Sequence, residues 1–282
     1  MPPRRRGVLA VLEVARDEKI SAEEILLLQA DADTRYSEGY VHAMRAAAGQ
    51  RTAASFLVEG LAHPPPTFDL QHPGFRRLSE KIDACMDGWM VPDPYQVIVD
   101  DKVSGYLLSD YISWGGHIRE FDSQGQEVHA ETTRLFIKGK LMGAERIVAP
   151  TAIAYPSRRK LLENPVRHFA TAGFPREDRW MEDWLRSYSG PNSLAIFDTP
   201  DSESALDTAI AMRRAHLFIL FNILPLKIAE LMGNSIEPFN TRAEGREILL
   251  KLRDISKEEV LGNTAYLFER IFSMIENLQR VH

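Results

Sequence analysis

Between residues 95 and 155 the chain stops repeating its apolar residues at helical spacing. It breaks instead into short β-branched and aromatic runs. Tyr95-Gln96-Val97-Ile98-Val99, Gly105-Tyr106-Leu107-Leu108 and Tyr111-Ile112-Ser113-Trp114 come first. His117-Ile118-Arg119-Glu120-Phe121 follows and leads into the turn signal Asp122-Ser123-Gln124-Gly125. Arg134-Leu135-Phe136-Ile137 and Arg146-Ile147-Val148-Ala149 complete the set. Runs this closely spaced leave no room for crossover helices, which predicts antiparallel pairing. Helical patterns lie on both sides. That order predicts an α+β fold rather than alternating α/β: a helical N-terminal arm, a central mostly antiparallel sheet of about five short strands, and a helical C-terminal half.

The flanks carry their own punctuation. Ser21-Ala22-Glu23-Glu24 is a capping box. It predicts a long helix from Ile25 through Tyr36 and Tyr40 to Ala62, with a break near Gly49, so that residues 1–62 form a helical region. His63-Pro64-Pro65-Pro66-Thr67 stops that helix and opens a linker over 63–73. The α+β core is then 74–282, with the sheet over 95–155 and helices over 157–282. Two of those helices are expected at 158–169 and 176–188, with Ser193–Phe197 as a lone strand. Thr199-Pro200-Asp201 starts a further helix, which Pro225 kinks. Leu261, Ala265, Phe268, Phe272, Ile275 and Leu278 form a last helical stripe.

Charge and cysteine usage exclude several classes. Thirty-four basic and forty acidic residues give a net charge of -6, so there is no global attraction to nucleic acid or anionic membrane. A single cysteine, Cys85, excludes an intramolecular disulfide framework and an all-cysteine zinc site. Its place on an apolar helical stripe predicts a packing residue. Arg4-Arg5-Arg6 and the residues after it read as a short amphipathic helix rather than an export signal. The run from Leu217 to Leu224 is cut by Pro225 and Lys227, short of the ~18 residues a membrane span needs. The expected location is therefore cytoplasmic. Rossmann, P-loop, HExxH, CxxC and GxSxG signatures are absent.

What remains for chemistry is histidine, carboxylate and arginine. His129 and Glu131, two residues apart on an expected strand edge, share a face and with His168 make a two-histidine, one-carboxylate ligand set for a divalent metal. Asp100 and Asp101 follow directly on an expected strand, where carboxylates can bind Mg²⁺ for phosphoryl or nuclease chemistry, although Asp-Asp-Lys is equally an ordinary polar turn. His117 sits beside Gly115 and Gly116, in a corner where a ligand can approach closely. These three, His117, Asp100 and Asp101, are the catalytic candidates. Arg158 and Arg159 at a helix start, with Arg176, Arg179, Trp180 and Trp184, form a candidate ligand-binding surface for an anion or a base. The preferred reading is an enzyme with a polar site on the central sheet, acting on a small anionic substrate with or without a metal. The alternatives are an interaction or regulatory protein that docks partners, or further copies of itself, through its apolar terminal helices, and a nucleic-acid binder using the 158–186 segment. The net charge disfavours the last.

Overall fold

The computed structural model describes residues 3–128, 130–171, 184–234 and 241–274. The fold is α+β, as the order of patterns predicts. Its contacts divide the chain into two compact units, each assembled from three stretches of sequence. The first unit comprises Met1–His63, Gln96–Pro156 and Lys257–Ala265; the second comprises Pro64–Tyr95, Ser157–Ser256 and Tyr266–His282.

The first unit is built on a five-stranded sheet. Its strands are β1 (Leu26–Leu28), β2 (Thr34–Tyr36), β3 (Phe56–Ala62), β4 (Ser104–Leu107) and β7 (Glu145–Pro156). A separate antiparallel pair joins β5 (Glu120–Phe121) to β6 (Glu127–Val128). The main sheet runs β1-β4-β3-β7-β2, antiparallel at every neighbour except the parallel pair β3/β7. The mostly antiparallel sheet of five strands therefore stands, but its strands are drawn from different residues. β1, β2 and the central strand β3 all lie within 1–62, the stretch expected to be helical. The capping box explains the first displacement. Glu24 does reach back to the Ser21 N–H (3.2 Å) and the Ser21 hydroxyl accepts from Glu23 N–H (3.4 Å), but they close a single turn ahead of β1. A cap satisfies the first amides of a turn and says nothing about how far a helix continues.

Two expected strands became helices, Leu108–Ser113 and Glu131–Leu141. Short apolar runs do not distinguish a strand from a buried helix by periodicity, and Glu131–Leu141 is buried all round from Thr132 to Leu141. The 95–99 run lies outside any strand, and Ser193–Phe197 lies mostly within a 3-10 turn, Leu194–Asp198. Alternation along β3 separates two apolar layers. Phe56 and Val58 pack with Tyr40, Met44 and Ala47 of the helix Tyr40–Ala48. Leu57 packs with Tyr106, Trp114, Leu135, Phe136 and Val8 of the N-terminal helix Pro3–Glu18. Residues 1–62 are thus an integral part of this unit's core and not an arm.

In the second unit the 63–73 segment is not an open linker, because Pro66–Gln71 is helical and buries Phe68. Cys85 is exposed, on the outer side of the helix Pro73–Met86, whose core face is Gly74, Leu78, Ile82 and Met86. The 158–169 expectation becomes two short helices, Arg159–Glu163 and Pro165–Thr171. Proline 225 acts as predicted. It has no N–H to offer the Phe221 carbonyl, the helix widens to a π turn over Ile219–Ile223, and Val91 N–H bonds that carbonyl instead (2.9 Å). The stretch Asp207–Leu231 is long and apolar enough to cross a membrane, but 78% of its apolar window is buried inside the protein, as in a core helix. The expected 176–188 helix is described only from residue 184 onward, and Ile275 and Leu278 lie outside the described residues.

Candidate functional site

The first unit gathers polar side chains in the middle of β3, where its pairing with β4 ends. Glu59 is the centre. It is 6% exposed, and each carboxylate oxygen has its own donors. Arg146 Nε and Nη2 meet Oε2 at 2.8 and 2.7 Å, and Asp100 N–H donates to Oε1 at 2.7 Å. Burial pushes the Glu59 carboxyl above its ordinary value, against the pull of the Arg146 guanidinium and the Asp100 amide. Just past Glu59 the β3/β7 register shifts. Gly60 is required there: a Cβ would stand 2.4 Å from the Ala152 carbonyl oxygen.

From Glu59 the contacts continue through the 100–102 turn. Asp100 Oδ1 accepts from Lys102 N–H (3.0 Å) and from Lys102 Nζ (2.9 Å), and Asp101 Oδ1 lies 3.4 Å from the same ammonium. Burial works to lower the Lys102 pKa, but the Asp100 and Asp101 carboxylates outweigh it and hold it above its ordinary value. The Tyr36 hydroxyl donates to the Lys102 carbonyl (3.0 Å) and accepts from Asp31 N–H (3.2 Å). Its ring meets that of Tyr40 with centroids 4.6 Å apart. Burial raises the pKa of both phenols.

A second polar chain starts from Gln29, whose N–H bonds the Ser104 carbonyl (2.8 Å) beside Glu59 in the sheet. The Tyr106 hydroxyl donates to Gln29 Oε1 (2.8 Å), and Gln29 Nε2 donates to Thr132 Oγ1 (3.1 Å). His117 Nε2 lies 3.4 Å from the same Thr132 oxygen, and His117 N–H donates to the Tyr111 hydroxyl (3.0 Å). Thr133 donates to the Val99 carbonyl (3.3 Å), tying the start of Glu131–Leu141 to the strand-like segment that delivers Asp100. Gly115 and Gly116 form the corner at positive φ that turns the chain back toward His117.

Asp100, Asp101 and His117 therefore all belong to this unit. The two aspartates converge on Lys102 and not on a metal-sized gap. Glu131 opens a helix, so it does not share a strand face with His129, which lies outside the described residues. His168 belongs to the second unit, in Pro165–Thr171. Among the described residues no group of three or more His, Cys, Asp or Glu side chains could hold a metal ion.

The anion-binding set is in the second unit. Arg176, Arg179 and Trp180 lie outside the described residues. Arg158 places its guanidinium 5.9 Å from the Phe68 ring centre, and Arg159 is exposed at the start of a five-residue helix. Trp184 is buried and stacks on Tyr188 at 5.1 Å, a packing role.

Sequence reasoning missed Gln29, Tyr36, Tyr40, Glu59, Lys102, Thr132 and Arg146. One signal was present. Phe56-Leu57-Val58-Glu59-Gly60-Leu61 carries a single carboxylate inside an apolar β-branched run, and a charge placed there needs a partner. Comparison of the chain with family models, with curated proteins and with solved structures returned no match.

Proposed function

We propose that the first unit is catalytic and acts on a small polar molecule by acid–base chemistry at the β3 end of the sheet. The observation that supports this most directly is Glu59: a buried carboxyl with a raised pKa, oriented through both oxygens, in β3 where its pairing with β4 ends, beside Asp100, Asp101 and Lys102. A carboxyl tuned upward and fixed in geometry is what proton transfer near neutral pH requires. Arg146 and the Asp100 amide orient Glu59. Lys102 and Asp100 are the groups a substrate would meet at the partly exposed rim. Gln29, Thr132 and His117 offer further hydrogen-bonding groups.

The test uses the full chain and a mixed extract of small metabolites. Mass spectrometry would follow which compounds wild-type protein consumes, with Glu59→Gln and Asp100→Asn in parallel. Circular dichroism would confirm that each variant is folded. Selective consumption that both variants lose supports acid–base catalysis here. If wild type consumes nothing, or Glu59→Gln consumes the same compounds at the same rate, the reading fails.

A further inference from the structure

The same end of the sheet carries more acid than base. Asp31, Glu59, Asp100 and Asp101 surround it, against Lys102 and Arg146. Arg146 is committed to Glu59, and Lys102 is shared between Asp100 and Asp101. Asp31 and Asp100 act on the Tyr36 phenol; Asp100 and Glu59 act on that of Tyr40. The two rings meet at 56°, and Tyr40 packs against Met44, Phe56 and Val58. The Tyr40 hydroxyl adds an independent observation. Tyr40 is 6% exposed, and its oxygen has no hydrogen-bond partner although it lies toward these acids. Buried hydroxyls in folded proteins are almost always satisfied, so an orphaned one marks a place where a donor or acceptor from outside belongs.

These features select for one charge. A cation is drawn by the carboxylates, and its N–H groups can donate to the Tyr40 oxygen. An anion would be repelled by every acid near the phenols. The chain already shows the recognition in cis, since the Lys102 ammonium is held by two of these carboxylates. A metal ion is the poorer fit, because the described acids do not converge as a ligand set.

We propose that the site formed by Tyr36, Tyr40, Asp31 and Asp100 binds a small organic amine in its ammonium form. This rests on the reading of the sheet end as a small-molecule site, and it replaces the anionic substrate expected from sequence. Ligand-observed NMR titrations of the full chain, at matched ionic strength, would compare n-butylammonium chloride, sodium butyrate and n-butanol. Saturable binding of butylammonium at least about tenfold tighter than butyrate or butanol is expected, and Asp31→Asn and Tyr40→Phe should each weaken it several-fold. Asp31 lies in a loop, so its variant keeps the test independent of folding. Butyrate binding as tightly as butylammonium would overturn the ammonium assignment while leaving a small-molecule site standing. Absent butylammonium binding, or binding that neither variant changes, also overturns it. Failure of the catalytic reading is seen separately, in the Glu59→Gln consumption experiment.

Discussion

Two glutamates are buried in the first unit, and they are compensated differently. Glu120 is surrounded: Lys138 Nζ at 2.6 Å, Arg134 Nε at 3.6 Å, the Thr264 hydroxyl at 3.2 Å and the Ala265 N–H at 2.7 Å. It ties Thr264 and Ala265 to Lys138 and Arg134 of the helix Glu131–Leu141. Glu59 has one guanidinium and one amide, and burial is the largest influence on it. Both are 6% exposed, so depth does not separate them. What differs is the number of positive charges, two beside Glu120 and one beside Glu59. A buried carboxylate between two cations is a fastener, whereas one with a single cation keeps more of its desolvation cost.

The largest effect should come from removing the fastener. Glu120→Ala leaves Lys138 and Arg134 buried without the carboxylate they share, and urea denaturation should show a loss of about 3–5 kcal/mol. A loss under ~1 kcal/mol would mean that Glu120 is no more structural than Glu59.

The second unit buries a titratable group of the other kind, a histidine. His216 is 1% exposed, and burial pulls its pKa down to about 3. The unfolded chain takes up the proton near 6.5, the folded chain only near 3. Stability should therefore fall as pH drops through that window, by up to about 1.4 kcal/mol per pH unit, and His216→Gln should remove the slope. Chemical denaturation between pH 7 and pH 4 measures it; an unchanged slope in the variant would exclude His216 as its source.

Next in size is Gly60→Ala. Its Cβ would collide with the Ala152 backbone oxygen beside Glu59, for a loss of about 1–3 kcal/mol by thermal or urea unfolding. A neutral result would show that the register shift yields easily.

Glu59→Gln should act through pH. An unfolded glutamate loses its proton near 4.5, and the folded one loses it higher. The fold thus keeps a proton that the unfolded chain has released, and wild-type stability falls as pH rises through the raised pKa. The variant should lack this fall, so its disadvantage against wild type shrinks from pH 5 to pH 8. A disadvantage constant with pH would show that the fold does not raise the Glu59 carboxyl. The smallest effect is expected at the exposed Lys81–Glu203 pair, 2.6 Å apart but more than half exposed on both sides, where Lys81→Ala should cost under ~1 kcal/mol.

Some of this was legible in the chain. The runs that became β4 and the start of β7 were recognised because they alternate and are bounded by polar residues. The Gly115-Gly116 corner was recognised because glycines there permit positive φ. Asp100, Asp101 and His117 stand out in the sequence because titratable groups beside strand-like runs are conspicuous. Glu59 and Arg146 were not, because they lie far apart in sequence and only the parallel β3/β7 pairing makes them neighbours. The contact of Tyr36 with Tyr40 is hidden because the capping box points to a helix where β1 and β2 form.

The sequence by itself determined the α+β class, the proline-induced break before the last core helices and the scarcity of thiol chemistry. These follow from local periodicity, from the missing proline N–H and from a residue count. Tertiary structure decided which runs became strands, which buried carboxylate is saturated and which phenol is left without a partner. Those outcomes depend on pairing between distant segments, and a local pattern carries no information about the neighbour that burial will supply.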